Sequence, residues 1–288
     1  PPTHWAHPRL TLLSPPVDKI TALIRYKNSA ETLPEVLAAI HTQTRVPERL
    51  LAIDTGSTDA SSDLLRKAGA DIVKWDHPYH ASKVLNFGVS SCESPLIFCL
   101  SSHTVMHERD TVQRLARELE DSRVCAASVK WDKDPYYTDK ITWSELAEKG
   151  IKFGSIYSNS LGLFRRSLWQ QYPFADAMTG IEDYDWALHQ AKSGHCVSRI
   201  EADFNYQRNG HNREMDFAAR AFHLANHYDL KLKWLGVGGA LRGLVHNLPG
   251  RLRGNKAATT GFQTCKNRLL GKMLWRHYNF EKDKNTSR

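Results

Sequence analysis

Glu182, Asp183 and Asp185 crowd three carboxylates into four positions, just after Gly180 and just ahead of a helix-like run at 186–191. Like charges this close raise one another's pKa, while a helix N-terminus lowers it. The size of the net shift is not set by the sequence, and the plainer reading is that the three carboxylates only decorate a first helical turn. A second acidic feature is Ile53-Asp54-Thr55-Gly56-Ser57-Thr58-Asp59, where a carboxylate leads into a glycine turn and can accept N–H groups. Asp59 is the better placed of the two to start a following helix, which leaves Asp54 for a ligand. Arg25 and Lys27 follow an apolar run, Lys83 and Asn86 lie around a helix start, and His103 stands in the triplet Ser101-Ser102-His103. Cations and helix N-terminal donors together suit phosphate groups. The plainer readings are solvated side chains for Arg25 and Lys27, a helix cap for Asn86 and a structural histidine at 103.

These residues need elements to position them, and the apolar pattern supplies a consistent set. Ile20 to Ile24 reads as a buried strand, and Thr32-Leu33-Pro34-Glu35 as a capping-box helix start with proline in the first turn. Leu33, Val36, Leu37 and Ile40 continue at helical spacing. Strands are expected at 50–53, 71–75 and 95–100, with helices around Leu64, Leu65 and Ala68 and after His80-Ala81-Ser82-Lys83. Alternating strands and helices predict an α/β fold, Rossmann-like, with a mostly parallel sheet flanked by helices. Ligands of such sheets bind beyond the carboxyl ends of the strands, where Arg25, Asp54 and Ser101 to His103 fall.

With 288 residues, 41% hydrophobic and 24% charged, the chain can bury a sizeable core and is neither disordered nor fibrous. No apolar run reaches the roughly 18–20 residues of a membrane span. The first residues lack a signal-peptide pattern. Five scattered cysteines without a CxxC pair read as reduced thiols of a cytoplasmic protein. There is no GxxxxGK[ST] loop, no GxSxG and no HExxH, and Gly236-Val237-Gly238-Gly239 misses the dinucleotide-binding spacing.

The strand IRYKN (24–28) and the turn IDTGSTD (53–59) resemble family 2 glycosyltransferases of GT-A fold, in the bacterial branch with IRTKN and VDSGSTD motifs. Four further segments resemble that branch in the same order: Lys83 to Gly88, Leu100 to His103, Ser158-Asn159-Ser160 through Phe174, and Glu182 to Ala187. The resemblance spans roughly residues 19–212 and implies an inverting transferase that takes a sugar from a nucleoside-diphosphate donor to a glycan or lipid-linked acceptor. It further implies that Asp183, paired with Glu182, is the general base that takes the acceptor hydroxyl's proton. Asp54 and Gly56 would receive the nucleotide base, with Arg25 and Lys27 nearby. Lys83 and Asn86 would face the diphosphate, and Ser102 and Asn159 would line the donor site. Arg208 and His211 would close over it.

The departure from the family lies at Ser101-Ser102-His103, where the family usually carries Asp-x-Asp for a divalent ion. Three readings stay open: His103 and His211 ligate a metal (Mn²⁺ or Mg²⁺), His103 stabilises the leaving diphosphate itself, or catalysis has been lost. The last makes the chain a GT-A module that binds a glycan, lipid or protein partner. A nucleotidyltransferase is a further rival, and the absence of a GxGxR-type loop after the first strand counts against it.

Charge divides the chain sharply. From Lys231 to Arg288 there are thirteen Lys and Arg against two acids, whereas residues 1–230 carry 26 against 29. The expected organisation is a lead at 1–18, the transferase domain at 19–215 and a basic amphipathic helical extension at 216–288. Residues 231–288 suit an anionic membrane surface, which agrees with a peripheral position at the cytoplasmic face. The alternative is a helical appendage packed on the main domain. No zinc-finger, RNP or helix-turn-helix pattern accompanies the charge, so nucleic acid is not expected as a partner.

Overall fold

The computed structural model describes residues 19–131, 136–152, 156–207, 214–232 and 237–274. The lead at 1–18, Arg208 and His211 therefore lie outside the described residues. The first half alternates strand and helix: β1 (Ile20–Tyr26), α1 (Leu33–His41), β2 (Arg49–Asp54), α2 (Ser61–Lys67), β3 (Asp71–Lys74), α3 (Ala81–Ser90) and β4 (Leu96–Ser101). A short β5 (Thr104–Met106), α4 (Thr111–Glu118), β6 (Val124–Val129), β7 (Lys140–Ile141), α5 (Trp143–Lys149), β8 (Leu161–Arg165) and α6 (Arg166–Gln171) follow. The described chain ends with α7 (Glu182–Lys192), β9 (Cys196–Ile200), β10 (Phe204–Tyr206), α8 (Glu214–His227), α9 (Val237–Leu252) and α10 (Lys256–Leu274).

Eight strands form one sheet in the order β3-β2-β1-β4-β8-β6-β9-β7. β3, β2, β1 and β4 are parallel, β8 runs antiparallel between β4 and β6, β9 is parallel to β6, and β7 closes the edge antiparallel. β5 and β10 pair separately, setting Tyr206 opposite Thr104.

Apolar side chains alternate to the two faces, so both need cover. Ile20, Ala22 and Ile24 pack with Leu33, Val36 and Ile40 of α1 and Val112 and Leu115 of α4. Leu23, Leu51 and Ile53 face the other way, onto Val84 and Leu85 of α3 and Trp186 and Leu188 of α7. α8 belongs to this second layer, burying Ala218, Ala221, Leu224 and Ala225, with Tyr228 just beyond its end. The boundary expected at 215/216 thus falls inside a helix that packs on the main core, and α9 and α10 follow it as a helical pair, with α10 packed against α8.

One local expectation is corrected. α1 begins where the sequence predicted, but Thr32 forms no capping box. Its hydroxyl donates instead to the carbonyls of Ser29 and Ser102, at 3.3 and 2.6 Å, tying the helix start to the loop after β4.

Candidate active site

The register places the ends of β1, β2 and β4 side by side, with Arg25 opposite Ile53 and Ser101, and Tyr26 opposite Asp54. The start of α7 meets this edge, where Arg25 Nη1 lies 3.7 Å from Glu182 Oε1. Asp183 is therefore brought beside the strand ends that the sequence singled out.

Asp183 is half-buried. Its Oδ2 accepts the Asn159 N–H at 3.1 Å and its Oδ1 accepts the Tyr184 N–H at 2.9 Å. Burial, and then the Glu182 charge, push its pKa up to about 7, against the opposing pull of those N–H groups and Arg25. Asp185 is not among the main causes of that shift. It is fully buried, accepting hydroxyl bonds from Tyr172 at 3.2 Å and Tyr228 at 3.0 Å, and so locks α7 to α8.

Glu182 is sealed from solvent and accepts the Gly180 N–H at 2.5 Å. Gly180 holds φ +83°, a left-handed conformation that favours glycine and turns the chain into α7. Two residues not picked out in the sequence support this turn. Arg220 of α8 donates to the Thr179 carbonyl, and Thr179 Oγ1 accepts the Ala81 N–H at the start of α3, at 3.1 Å. The beginnings of α3 and α7 are thereby joined. Thr179 and Arg220 are both buried, but their link pairs residues 41 apart in the chain and leaves no motif.

Around Asp183 several polar groups are unmet. Arg25 Nη1 and both side-chain atoms of Asn159 are buried without a hydrogen-bond partner. Unsatisfied buried donors and acceptors are costly, so these atoms call for partners that the described residues do not supply. Burial opposes the charge on Arg25, yet Tyr79, Glu182 and Asp183 outweigh it and hold the guanidinium all the more firmly protonated.

The remaining expected residues divide. Lys27 and Lys83 are exposed, with Lys83 Nζ 3.8 Å from Asp176 Oδ2. His103 is half-buried, 3.1 Å from Ser101 Oγ through Nε2, and tilted against Tyr206 at 4.8 Å between ring centres. Burial and then Arg25 lower its pKa, so the imidazole is neutral at pH 7.

Three placements differ from expectation. Asp54 is not left free by Asp59. Its Oδ1 accepts the Gly56 and Ser57 N–H groups at 3.1 and 2.8 Å, and Ser62 Oγ donates to its Oδ2 at 3.2 Å. Gly56 has φ +98° in that turn, while Asp59 separately accepts from Ser61 and Ala30. Ser102 does not line a cleft but is buried, sharing a 2.9 Å hydrogen bond with Ser29 Oγ. Asn86 is a brace: Trp169 Nε1 and the Phe174 N–H donate to its Oδ1 at 2.9 and 3.0 Å, and its Nδ2 donates to the Phe174 carbonyl at 2.8 Å.

The described donor set is a poor match for a hard divalent ion. At the end of β4 it offers one neutral imidazole and the Ser101 hydroxyl, and His211 lies outside the described residues. Among the described residues no three His, Cys, Asp or Glu gather as a metal cluster. The five cysteines are free, and no described helix is long and apolar enough to cross a membrane.

The family model for glycosyl transferase family 2 matches residues 21–181, more than half of the chain. Among curated proteins, the chain is 24% identical over 200 residues to the O-antigen chain rhamnosyltransferase RfbN of Salmonella typhimurium, a match covering 62% of this chain and 63% of that relative. Among solved structures, it resembles the mannosyltransferase PcManGT from Pyrobaculum calidifontis in complex with GDP-Man and Mn²⁺, with a TM-score of 0.67 at 15% identity over 90% of this chain and 87% of the other. It also resembles glucosyl-3-phosphoglycerate synthase from Mycobacterium tuberculosis with Mn²⁺, UDP and glucosyl-3-phosphoglycerate, with a TM-score of 0.53 at 14% identity over 72% and 77% of the two chains. These likenesses establish the GT-A fold. The family match over more than half of the chain, with motifs in family order and a carboxylate at the sheet's carboxyl edge, shows that the chain belongs to glycosyl transferase family 2.

Proposed function

We propose that this glycosyltransferase moves a hexosyl or deoxyhexosyl group with inversion, from a nucleoside-diphosphate sugar to a hydroxyl of a glycan or lipid-linked acceptor in polysaccharide synthesis. The observation that carries this reading is the Asp183 carboxylate, held by two N–H groups beside the unmet polar atoms of Arg25 and Asn159. Asp183 takes the proton from the acceptor hydroxyl, and the freed oxygen attacks the anomeric carbon. The bond to the diphosphate breaks on the opposite face. A base with a pKa near 7 is half ionised at neutral pH and still strong enough to accept that proton.

Arg25 faces the departing diphosphate with a fixed positive charge, and Glu182 keeps that guanidinium in place. The Asn159 amide bonds a sugar hydroxyl. The turn held by Asp54 and Gly56 presents the remaining lone pair of Oδ2 to the nucleotide base, with Lys27 alongside, and Lys83 adds charge at the start of α3. Ser102, Asn86 and Glu182 act through other residues. No step is routed through a metal, because the described donors do not make a site for one. The rhamnosyltransferase relative supports a deoxyhexosyl donor and a glycan acceptor. Free cysteines are compatible with the reducing compartment in which nucleotide sugars are made.

One observation favours a second reading, a GT-A module that binds without transferring: no carboxylate stands at 101–103. A thermal-shift panel of UDP, GDP, dTDP and CMP, with Mn²⁺ and with EDTA, followed by donor-hydrolysis assay of the stabilising nucleotide's sugars, separates the two. A ligand at about 100 times its Kd stabilises by roughly 2.7 kcal/mol. A shift accompanied by sugar release supports transfer. A shift with every sugar left intact supports the binding module, and no shift at all removes the donor site.

A further inference from the structure

Leu241, Val245, Leu248 and Leu252 are 50, 73, 42 and 79% exposed, the most concentrated group of large exposed aliphatics among the described residues. They recur at steps of four, three and four along α9, so they fall in one narrow stripe on one side of the helix. The opposite side is committed. A Cβ on Gly250 would meet Ala258 Cβ at 2.6 Å, and one on Gly261 would meet the Asn247 amide at 2.7 Å, which shows how closely α9 and α10 pack as a hairpin. Gly254 turns the chain between them, and Asn255 Oδ1 accepts the Ala258 N–H at 3.1 Å to cap α10. The stripe is thus held facing outward by the hairpin's own packing.

Charge decides what covers it. From residue 237 to 274 the chain carries seven Lys and Arg and no Asp or Glu. Arg251, Arg253, Lys256 and Lys266 are exposed along this hairpin. A second copy would bring the same cations against these, so like charge opposes self-association through this face. An anionic bilayer offers hydrocarbon for the aliphatic stripe and phosphates for the cations in one plane.

We propose that α9 lies in the interface of an anionic lipid bilayer, inserting Leu241, Val245, Leu248 and Leu252 between headgroups while the flanking cations pair with lipid phosphates. The inference is independent of the donor and base assignments. It narrows the basic region at 231–288 to one helix face and excludes the buried α8 side.

The test is co-sedimentation of the whole chain with vesicles of phosphatidylcholine alone or mixed with phosphatidylglycerol. The intact chain is expected to bind the mixed vesicles at least about tenfold more tightly than the neutral ones. The variant Val245→Asn with Leu252→Asn is expected to lose roughly tenfold in affinity at unchanged Tm, since both side chains are exposed. Arg253→Glu with Lys256→Glu is expected to abolish the preference for anionic lipid. Three results overturn the proposal: no binding of the intact chain, equal binding by the asparagine variant, or a dimer in solution that the asparagine variant converts to monomer.

Discussion

Asp54 and Asp183 stand at the same edge of one sheet, yet their surroundings follow opposite rules. Asp54 is buried and accepts two backbone N–H groups and a serine hydroxyl within its own β2–α2 segment. Asp183 has two N–H donors as well, but Glu182 crowds it, Arg25 is only partly neutralised and the Asn159 amide has no partner. A carboxylate satisfied by local donors stiffens a turn. One left with a neighbouring charge and unmet dipoles retains a free-energy incentive to change its protonation or its partners, which catalysis requires.

The largest effect should come from removing the charge where the surroundings are unmet. Asp183→Asn keeps the shape but cannot take a proton, so turnover is expected to fall about 10²–10⁴-fold. The nucleotide-induced thermal shift should survive. In the unaltered enzyme kcat/KM should rise with pH and level off above about 7, because only the ionised carboxylate is a base. Turnover within a few-fold of normal in Asp183→Asn would erase the distinction between the two carboxylates.

Arg25→Met tests whether Glu182 belongs with the poised group or merely supports it. Glu182 is buried, so loss of its cation should cost about 3 kcal/mol. Adding Glu182→Gln removes the stranded charge and should restore most of the Tm. If Arg25 also contacts the diphosphate, the double variant recovers stability but not donor binding. Recovery of both would make the pair purely structural.

The contrast between these sites also tracks what the sequence discloses. β1, β2 and β4 announce themselves because strands covered on both faces are nearly continuous apolar runs. β9 does not, since CVSRI sets a serine and an arginine in a fully buried strand. Arg199 is tolerated there because it donates to the Tyr137 carbonyl at 2.9 Å, a contact no local pattern foretells. Asp183 is visible through the Glu-Asp motif at a helix start. The Tyr172 and Tyr228 hydroxyls on Asp185 and the Thr179 link to α3 are tertiary, and motif reading passes over them. Reading Asp54 as free failed for a related reason: two adjacent turns each kept their own carboxylate, so neither displaced the other.

A smaller effect is expected on the satisfied side. Asp54→Ala removes the acceptor for two N–H groups and the Ser62 hydroxyl, at a cost of about 2 kcal/mol. Asp54→Asn keeps an acceptor at Oδ1 and should cost less than half of that. Equal donor affinity in the asparagine variant and the unaltered protein would confine Asp54 to holding the turn. A selective loss of donor affinity would show that its charge also meets the nucleotide base.

The subtlest test compares stability rather than activity. The Asp183 pKa is raised on folding, from an ordinary value near 4 to about 7, so the folded state holds a proton that the unfolded chain releases. The stabilising contribution of the protonated form is complete below about pH 4. It declines as the pH climbs and is gone above about pH 7. Asparagine mimics the protonated carboxyl at every pH. The Tm of Asp183→Asn minus that of the unaltered protein should therefore be flat below pH 4, grow between 4 and 7, and level off above. Sharing of the charge with Glu182 and Arg25, together with partial exposure, reduces the difference to about 1 kcal/mol, or a few degrees.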